Sequence, residues 1–167
     1  MDSYQKFISE KAKYKRKILG KMFLPRQPVL LIDFDGTVSQ KQLKDLMEGL
    51  SSLKITTLII GTVSAAYNNM EPSIHFIPES LKSDAYQASD FVIVLNGDIA
   101  SVLKKGCVPV AQMDGDGTTD YNPLIEKGNG FYFAKPTTWE IFAAVVRALE
   151  TYKFPYDWEN LIREILK

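Results

Sequence analysis

Pro28-Val29-Leu30-Leu31-Ile32-Asp33-Phe34-Asp35-Gly36-Thr37 decides the fold. From Val29 to Phe34 the run is apolar on both alternating sets of positions before it ends in acid and glycine, as in a strand covered on two faces. The same grammar recurs downstream. Ile55–Ile60 is a second strand rich in β-branched residues, Ser73–Ile77 a short third, Phe91–Leu95 a fourth and Cys107–Ala111 a fifth. Between them the period changes. Leu43, Leu46, Met47 and Leu50 share one face of a helix over Lys41–Leu50, Pro78 opens a helix to about Ala88, and Ile99–Lys105 is a short one. Strands alternating with helices predict an α/β fold: a single Rossmann-like domain, a mainly parallel sheet of about six strands with helices on both faces.

Toward the carboxyl end, Gly128-Asn129-Gly130 turns the chain into Phe131–Phe133. Thr137 and Glu140 have the spacing of a capping box. The helix they open, running to Tyr152, is expected to bury Trp139, Phe142, Val145, Val146 and Leu149, and Pro155 restarts a helix carrying Trp158, Leu161, Ile162 and Ile165. Toward the amino end, Tyr4, Phe7, Ile8, Ala12, Ile18, Leu19 and Met22 form a helical stripe with Ser3 as N-cap, a helix that Pro25 and Pro28 are expected to end. Lys11 and Lys15 interrupt that stripe, so the helix is expected to pack loosely or to cover an edge.

The 167 residues are 46% hydrophobic and 24% charged, enough apolar material for a core and too much for disorder. No apolar run is long enough to span a bilayer, and the first residues lack the layout of a secretory signal. One cysteine, Cys107, and one histidine, His75, make neither an internal disulfide nor a His/Cys metal site. A reducing, cytoplasmic location is the expectation. Net charge is zero but unevenly placed. Residues 1–26 carry eight Lys/Arg against two acids, a basic helix or arm ahead of the Rossmann-like domain of residues 27–167. With no nucleic-acid-binding motif beside it, the arm reads as a solvated helix face packed on an acidic body; nucleic acid and membrane are not expected partners.

In an open parallel sheet, ligands bind beyond the carboxyl ends of the strands. The candidate segments are Asp33–Thr37, Gly61-Thr62-Val63-Ser64, Asn96-Gly97-Asp98 and the polar loop 114–120. Their glycines allow close backbone approach, and free amides there favour an anion such as phosphate.

Leu31-Ile32-Asp33-Phe34-Asp35-Gly36-Thr37 resembles the first motif of haloacid-dehalogenase-type phosphatases. That resemblance implies Asp33 as nucleophile, Asp35 as acid/base and a magnesium ion between charges, with Thr62 or Ser64, Lys82 and Asp98 in the later motifs. It requires a loop and flap hairpin directly after the nucleophile strand and a second acid shortly after Asp98, which Ile99–Leu103 does not supply.

A longer resemblance covers nearly the whole chain. Glu10–Leu19, Pro28–Ile32 followed by Ser39-Gln40-Lys41, Asp84-Ala85-Tyr86-Gln87-Ala88-Ser89-Asp90-Phe91 and Gly106-Cys107-Val108-Pro109-Val110 are similar, in order and spacing, to bacterial glycogen/starch synthases. So are Asp120–Pro123, Gly128–Phe133 and Arg147–Tyr152 with Trp158 downstream. The similarity is to the C-terminal, donor-nucleotide half of these GT-B glycosyltransferases. It implies as ligands ADP-glucose, UDP-glucose or a free nucleotide, with Lys41 at phosphate, Gly61, Thr62, Gly115, Gly117 and Thr118 lining the pocket and Tyr86 near the base. No metal or cofactor is implied.

The departures from that family bear on activity. The family's phosphate-binding arginine falls on Gly36, and Val92–Lys105 holds no Glu-Pro-x-Gly-Leu donor loop. The phosphate-cradling glycines are represented only by Gly115 and Gly117, among Asp114, Asp116 and Asp120. Glucosyl transfer needs positioning and stabilisation of the leaving diphosphate. The expectation is therefore a stand-alone domain that is not catalytically competent by itself: a binding, regulatory or complementing subunit in glucan synthesis, with a separate N-terminal synthase half or a glucan as partner. A non-catalytic interaction module is the remaining alternative.

Overall fold

The computed structural model describes residues 2–34, 36, 38–61, 71–115 and 117–167. Among them, strands β1 (Val29–Asp33), β2 (Thr56–Ile60), β3 (Ile74–Phe76), β4 (Phe91–Val94), β5 (Val108–Gln112) and β6 (Phe131–Phe133) form one sheet in the order β3-β2-β1-β4-β5-β6. Every neighbouring pair is parallel. The helices are α1 (Ser3–Leu19), α2 (Gln40–Ser51), α3 (Lys82–Ala88), α4 (Ile99–Lys104), α5 (Thr138–Tyr152) and α6 (Pro155–Ile165). The sheet reverses its winding at β1/β4, the crevice at which open α/β sheets take ligands.

The alternation in β1 partitions the core. Leu30 and Ile32 join one buried cluster with Leu43, Leu46 and Met47 of α2, Ile141, Ala144 and Val145 of α5, and Trp158, Leu161 and Ile162 of α6. Val29 and Leu31 join the opposite cluster with Leu19 of α1, Ala85 and Tyr86 of α3 and Val102 of α4. In the first cluster Phe91 meets the rings of Tyr152 and Trp158 edge-on, with centroids 5.9 and 5.1 Å away.

Four local expectations need correction. Asp2, not Ser3, is the N-cap of α1, and the helix ends at Gly20 (φ +52), ahead of Pro25; Met22 lies past the helix and is exposed. Lys11 and Lys15 do not loosen α1 but are buried in its packed face. Lys11 Nζ donates to the carbonyls of Gln87 and Ser89 at the C-terminal end of α3, where helix carbonyls lack intrahelical partners. Lys15 Nζ pairs with Asp90.

Trp139 is not core; it is 80% exposed. Two residues ahead of Ile141, it points about 200° around the helix from the inward stripe. Finally, Thr137 Oγ1 accepts from Glu140 N at 3.2 Å, but the Glu140 carboxylate turns to the amides of Ala134 and Lys135 rather than closing a box. The complete capping box is on α2, where Ser39 and Gln42 exchange both bonds.

Candidate functional site

The carboxyl ends of β1, β4 and β5 converge on the site. Asp33, last residue of β1, is held from α3: Tyr86 Oη donates to its Oδ2 at 2.8 Å, and Lys82 Nζ lies 2.9 Å from Oδ2 and 3.2 Å from Oδ1. Lys105 Nζ lies over the Tyr86 ring, 3.9 Å from its centroid. Burial first, and the Asp33 carboxylate second, push the Tyr86 phenol well above its ordinary pKa, so it stays a hydrogen-bond donor. The hydrogen bond to Asp33 raises the Lys82 ammonium in turn.

At the same edge of the sheet, a cleft of about 330 Å³ opens between the β4–α4 turn and the end of β5. Asn96, Gly97, Gln112, Met113 and Asp114 are among the residues lining it. Among the described residues, Asp114 is the one charged side chain lining it, and no cation does. Gln112 Nε2 is turned away onto the Ala134 carbonyl at 2.9 Å.

The glycine loop that follows is braced by a residue the sequence reading had not singled out. Asn129 Oδ1 accepts from Thr119 N at 3.0 Å and from Tyr132 Oη at 2.8 Å, and its Nδ2 donates to Gly117 O at 2.7 Å. Arg147 adds a second brace, reaching Asp120 and the Tyr132 carbonyl. The signal available for Asn129 was its place between Gly128 and Gly130, where a short side chain folds back on a turn. Thr118 spends its hydroxyl inside the loop, on the Gly115 carbonyl at 3.0 Å.

Of the residues named from sequence, the structure brings Asp33, Lys82 and Tyr86 into direct contact, and Asn96-Gly97 and Asp114 into one cleft. Lys41 sits exposed on the first turn of α2 and makes no ion pair among the described residues. Gly61, directly after β2, backs onto Phe34: a Cβ there would stand 2.0 Å from the Phe34 carbonyl oxygen. Gly115 and Gly117 keep left-handed φ values with open space beside them. Asp98 caps α4 without a side-chain cap bond. Asp35, Thr62, Ser64 and Asp116 lie outside the described residues.

For the phosphatase alternative, α2 begins at Gln40, so only residues 35–39 separate Phe34 from a helix, with no room for a hairpin flap. Among the described residues no group of three His, Cys, Asp or Glu side chains is placed to hold a metal ion. No helix among them is long and apolar enough to cross a membrane.

Known proteins answer to this geometry. A glycogen synthase of Fervidobacterium nodosum is 28% identical over 94% of this chain, in the same span as the motifs above. The chain is glycogen/starch synthase-like. Glycogen synthase 1 of Synechocystis is 31% identical over 68 residues, 39% of this chain. The chain spans 38% and 14% of the lengths of these two relatives. Its fold matches the catalytic domain of starch synthase IV from Arabidopsis thaliana, solved with ADP and acarbose, with a TM-score of 0.70, 17% identity, and coverage of 98% of this chain and 39% of that one. The architecture is thus a Rossmann-like α/β fold shared with that domain. No protein-family model matches the chain.

Proposed function

We propose that this chain is a nucleotide-binding or regulatory domain of glucan synthesis that does not transfer glucose by itself. It takes ADP-glucose, UDP-glucose or the free nucleotide at the carboxyl edge of the sheet and acts beside a separate synthase half. The observation that carries this reading is the cleft at the carboxyl ends of β4 and β5, beyond which the candidate segments Asn96-Gly97-Asp98 and 114–120 lie, and which no cation among the described residues lines. A leaving diphosphate develops negative charge, and its stabilisation by fixed cations and donors is the largest part of such catalysis. Asp114 opposes that charge, and Lys82, at the same edge, is already committed to Asp33. Lys41, exposed at the start of α2 and in no ion pair among the described residues, is the cation assigned to a phosphate in this reading. Support also comes from the likeness to glycogen synthases over most of the chain.

The test is a melting-temperature series with ADP, UDP and their glucose conjugates, run beside a glucan-elongation assay. A rise with at least one nucleotide, diminished in Lys41→Ala, and no elongation by the chain alone is the expected result. Elongation by the purified chain refutes the non-transferring half of the reading, and a flat melting series refutes the binding half.

A further inference from the structure

A hollow of about 430 Å³ lies at the opposite, amino-terminal edge of the sheet, ahead of β1 and β2. Leu24, Pro25, Arg26 and Gln27 line it from the segment entering β1, and Lys54 from the turn between α2 and β2. Its wall is moored. Leu24-Pro25-Arg26-Gln27 is a turn with proline at the second position, closed by Gln27 N donating to the Leu24 carbonyl at 3.0 Å. Gln27 Nε2 donates to Thr56 Oγ1 at 3.3 Å, and Thr56 N to the Pro28 carbonyl at 2.9 Å, which ties the turn to the first residue of β2.

The charges on this hollow have one sign. Arg26 and Lys54 are exposed, and neither makes an ion pair among the described residues. Lys21, exposed just ahead of the turn, makes none either. No acid occurs between Glu10 and Asp33 or between Glu48 and Glu71. Acids of the neighbouring segments are engaged elsewhere or stand off it: Glu48 pairs with Lys44, Asp84 with Lys17, and Glu71, ahead of β3, neither lines the hollow nor pairs with its cations. Apolar surface lies among these cations, since Leu24 is 51% exposed and Met22 55%.

We propose that this hollow docks an acidic, apolar peptide segment of a partner protein, whose carboxylates meet Arg26 and Lys54 and whose apolar side chain seats on Leu24 and Pro25. Two cations lining one hollow repel each other, and a carboxylate placed between them relieves that repulsion; the Arg26 guanidinium can hold it through two parallel bonds. An inorganic anion would use the cations and leave Leu24 and Met22 in water. A bilayer takes protruding apolar side chains, whereas a hollow takes an inserted one. The site shares no lining residue with the cleft at β4 and β5 and does not depend on the reading given under Proposed function.

The experiment follows the fluorescence anisotropy of a fluorescein-labelled, end-blocked peptide of leucine and glutamate as the full chain is added. A saturable rise is expected, weakened about tenfold or more by raising the salt to about 300 mM. Arg26→Ala combined with Lys54→Ala, at exposed positions, keeps the melting temperature and weakens binding about tenfold or more; Leu24→Ser weakens it as well. The proposal is overturned if the peptide does not bind saturably, or if its binding survives the double substitution. It is also overturned if a serine-for-leucine peptide or inorganic phosphate occupies the site equally well, which makes it a simple anion site. Phosphatidylserine vesicles that sediment the wild-type chain and not the double variant give the surface to a bilayer instead, and a dimer that Arg26→Glu dissociates gives it to a second copy. The melting series with nucleotides is read separately: its failure removes the nucleotide site and leaves the peptide titration to decide this one.

Discussion

Lys15 Nζ lies 2.6 Å from Asp90 Oδ2, and the two side chains are 8% and 3% exposed. The same carboxylate oxygen accepts the Val29 amide at 2.8 Å, so one buried acid ties α1 to the start of β1 and the entry to β4. Removing one member of such a pair strands the other charge without water, which costs about 3–5 kcal/mol. Lys15→Met and Asp90→Asn are each expected to destabilise the chain by that order in urea titrations, and the double substitution by less than the sum. If α1 were only a solvated basic arm, both substitutions would be silent.

Gly61 and Gly115 both have left-handed φ values, +116° and +74°, but their surroundings differ. An alanine at 115 meets open space and bears only the conformational penalty, about 1–2 kcal/mol. At 61 the new methyl stands within 2.0 Å of the Phe34 carbonyl oxygen, so the β1 terminus must move. Gly61→Ala is expected to cost about 3 kcal/mol or more, seen as a much lower denaturation midpoint than for Gly115→Ala.

The legible parts of the molecule were those governed by local rules. Val29–Ile32 is unbroken because both faces of β1 are covered, and Leu43, Leu46, Met47 and Leu50 keep helical period because α2 covers one of them. Lys11 and Lys15 were misread because hydropathy scores an ammonium as solvent-facing, whereas their partners Ser89 and Asp90 lie 78 and 75 residues away. Trp139 was misread in the opposite sense, its size outweighing an angle that Ile141, Ala144, Val145 and Ala148 already specified. At the site, the strand-end positions followed from topology. The contacts of Asp33 with Lys82 and Tyr86, across 49 and 53 residues, follow only from the crossover that sets α3 beside β1.

His75 on the edge strand β3 has its pKa lowered by burial from the ordinary value of 6.5. Between the folded and unfolded values the unfolded chain binds more protons, so stability rises with pH there. The neutral imidazole's contribution is complete above pH 6.5 and is lost as the pH falls through the unfolded and then the folded value. The melting temperature of the wild-type chain is expected to drop more steeply than that of His75→Gln on acidification below that point. Parallel curves for the two proteins would rule out this linkage.

Asp33 carries the last prediction, because the same carboxylate is a nucleophile in one reading and a structural acceptor in the other. Here Oδ2 receives both Tyr86 and Lys82, and Lys82 also reaches Oδ1. Asp33→Asn is therefore expected to cost about 1–2 kcal/mol of stability through the weakened charge-assisted bonds. It should also lower the Tyr86 pKa, since the carboxylate is the second cause of its elevation after burial. A tyrosine absorbance titration, with Tyr86→Phe to assign the transition, reads this directly. Magnesium-dependent hydrolysis of a phosphomonoester by the wild-type chain, abolished in Asp33→Asn with the fold intact, would restore the phosphatase reading. With the acid held by α3 and a helix beginning at Gln40, no such turnover is expected in either protein.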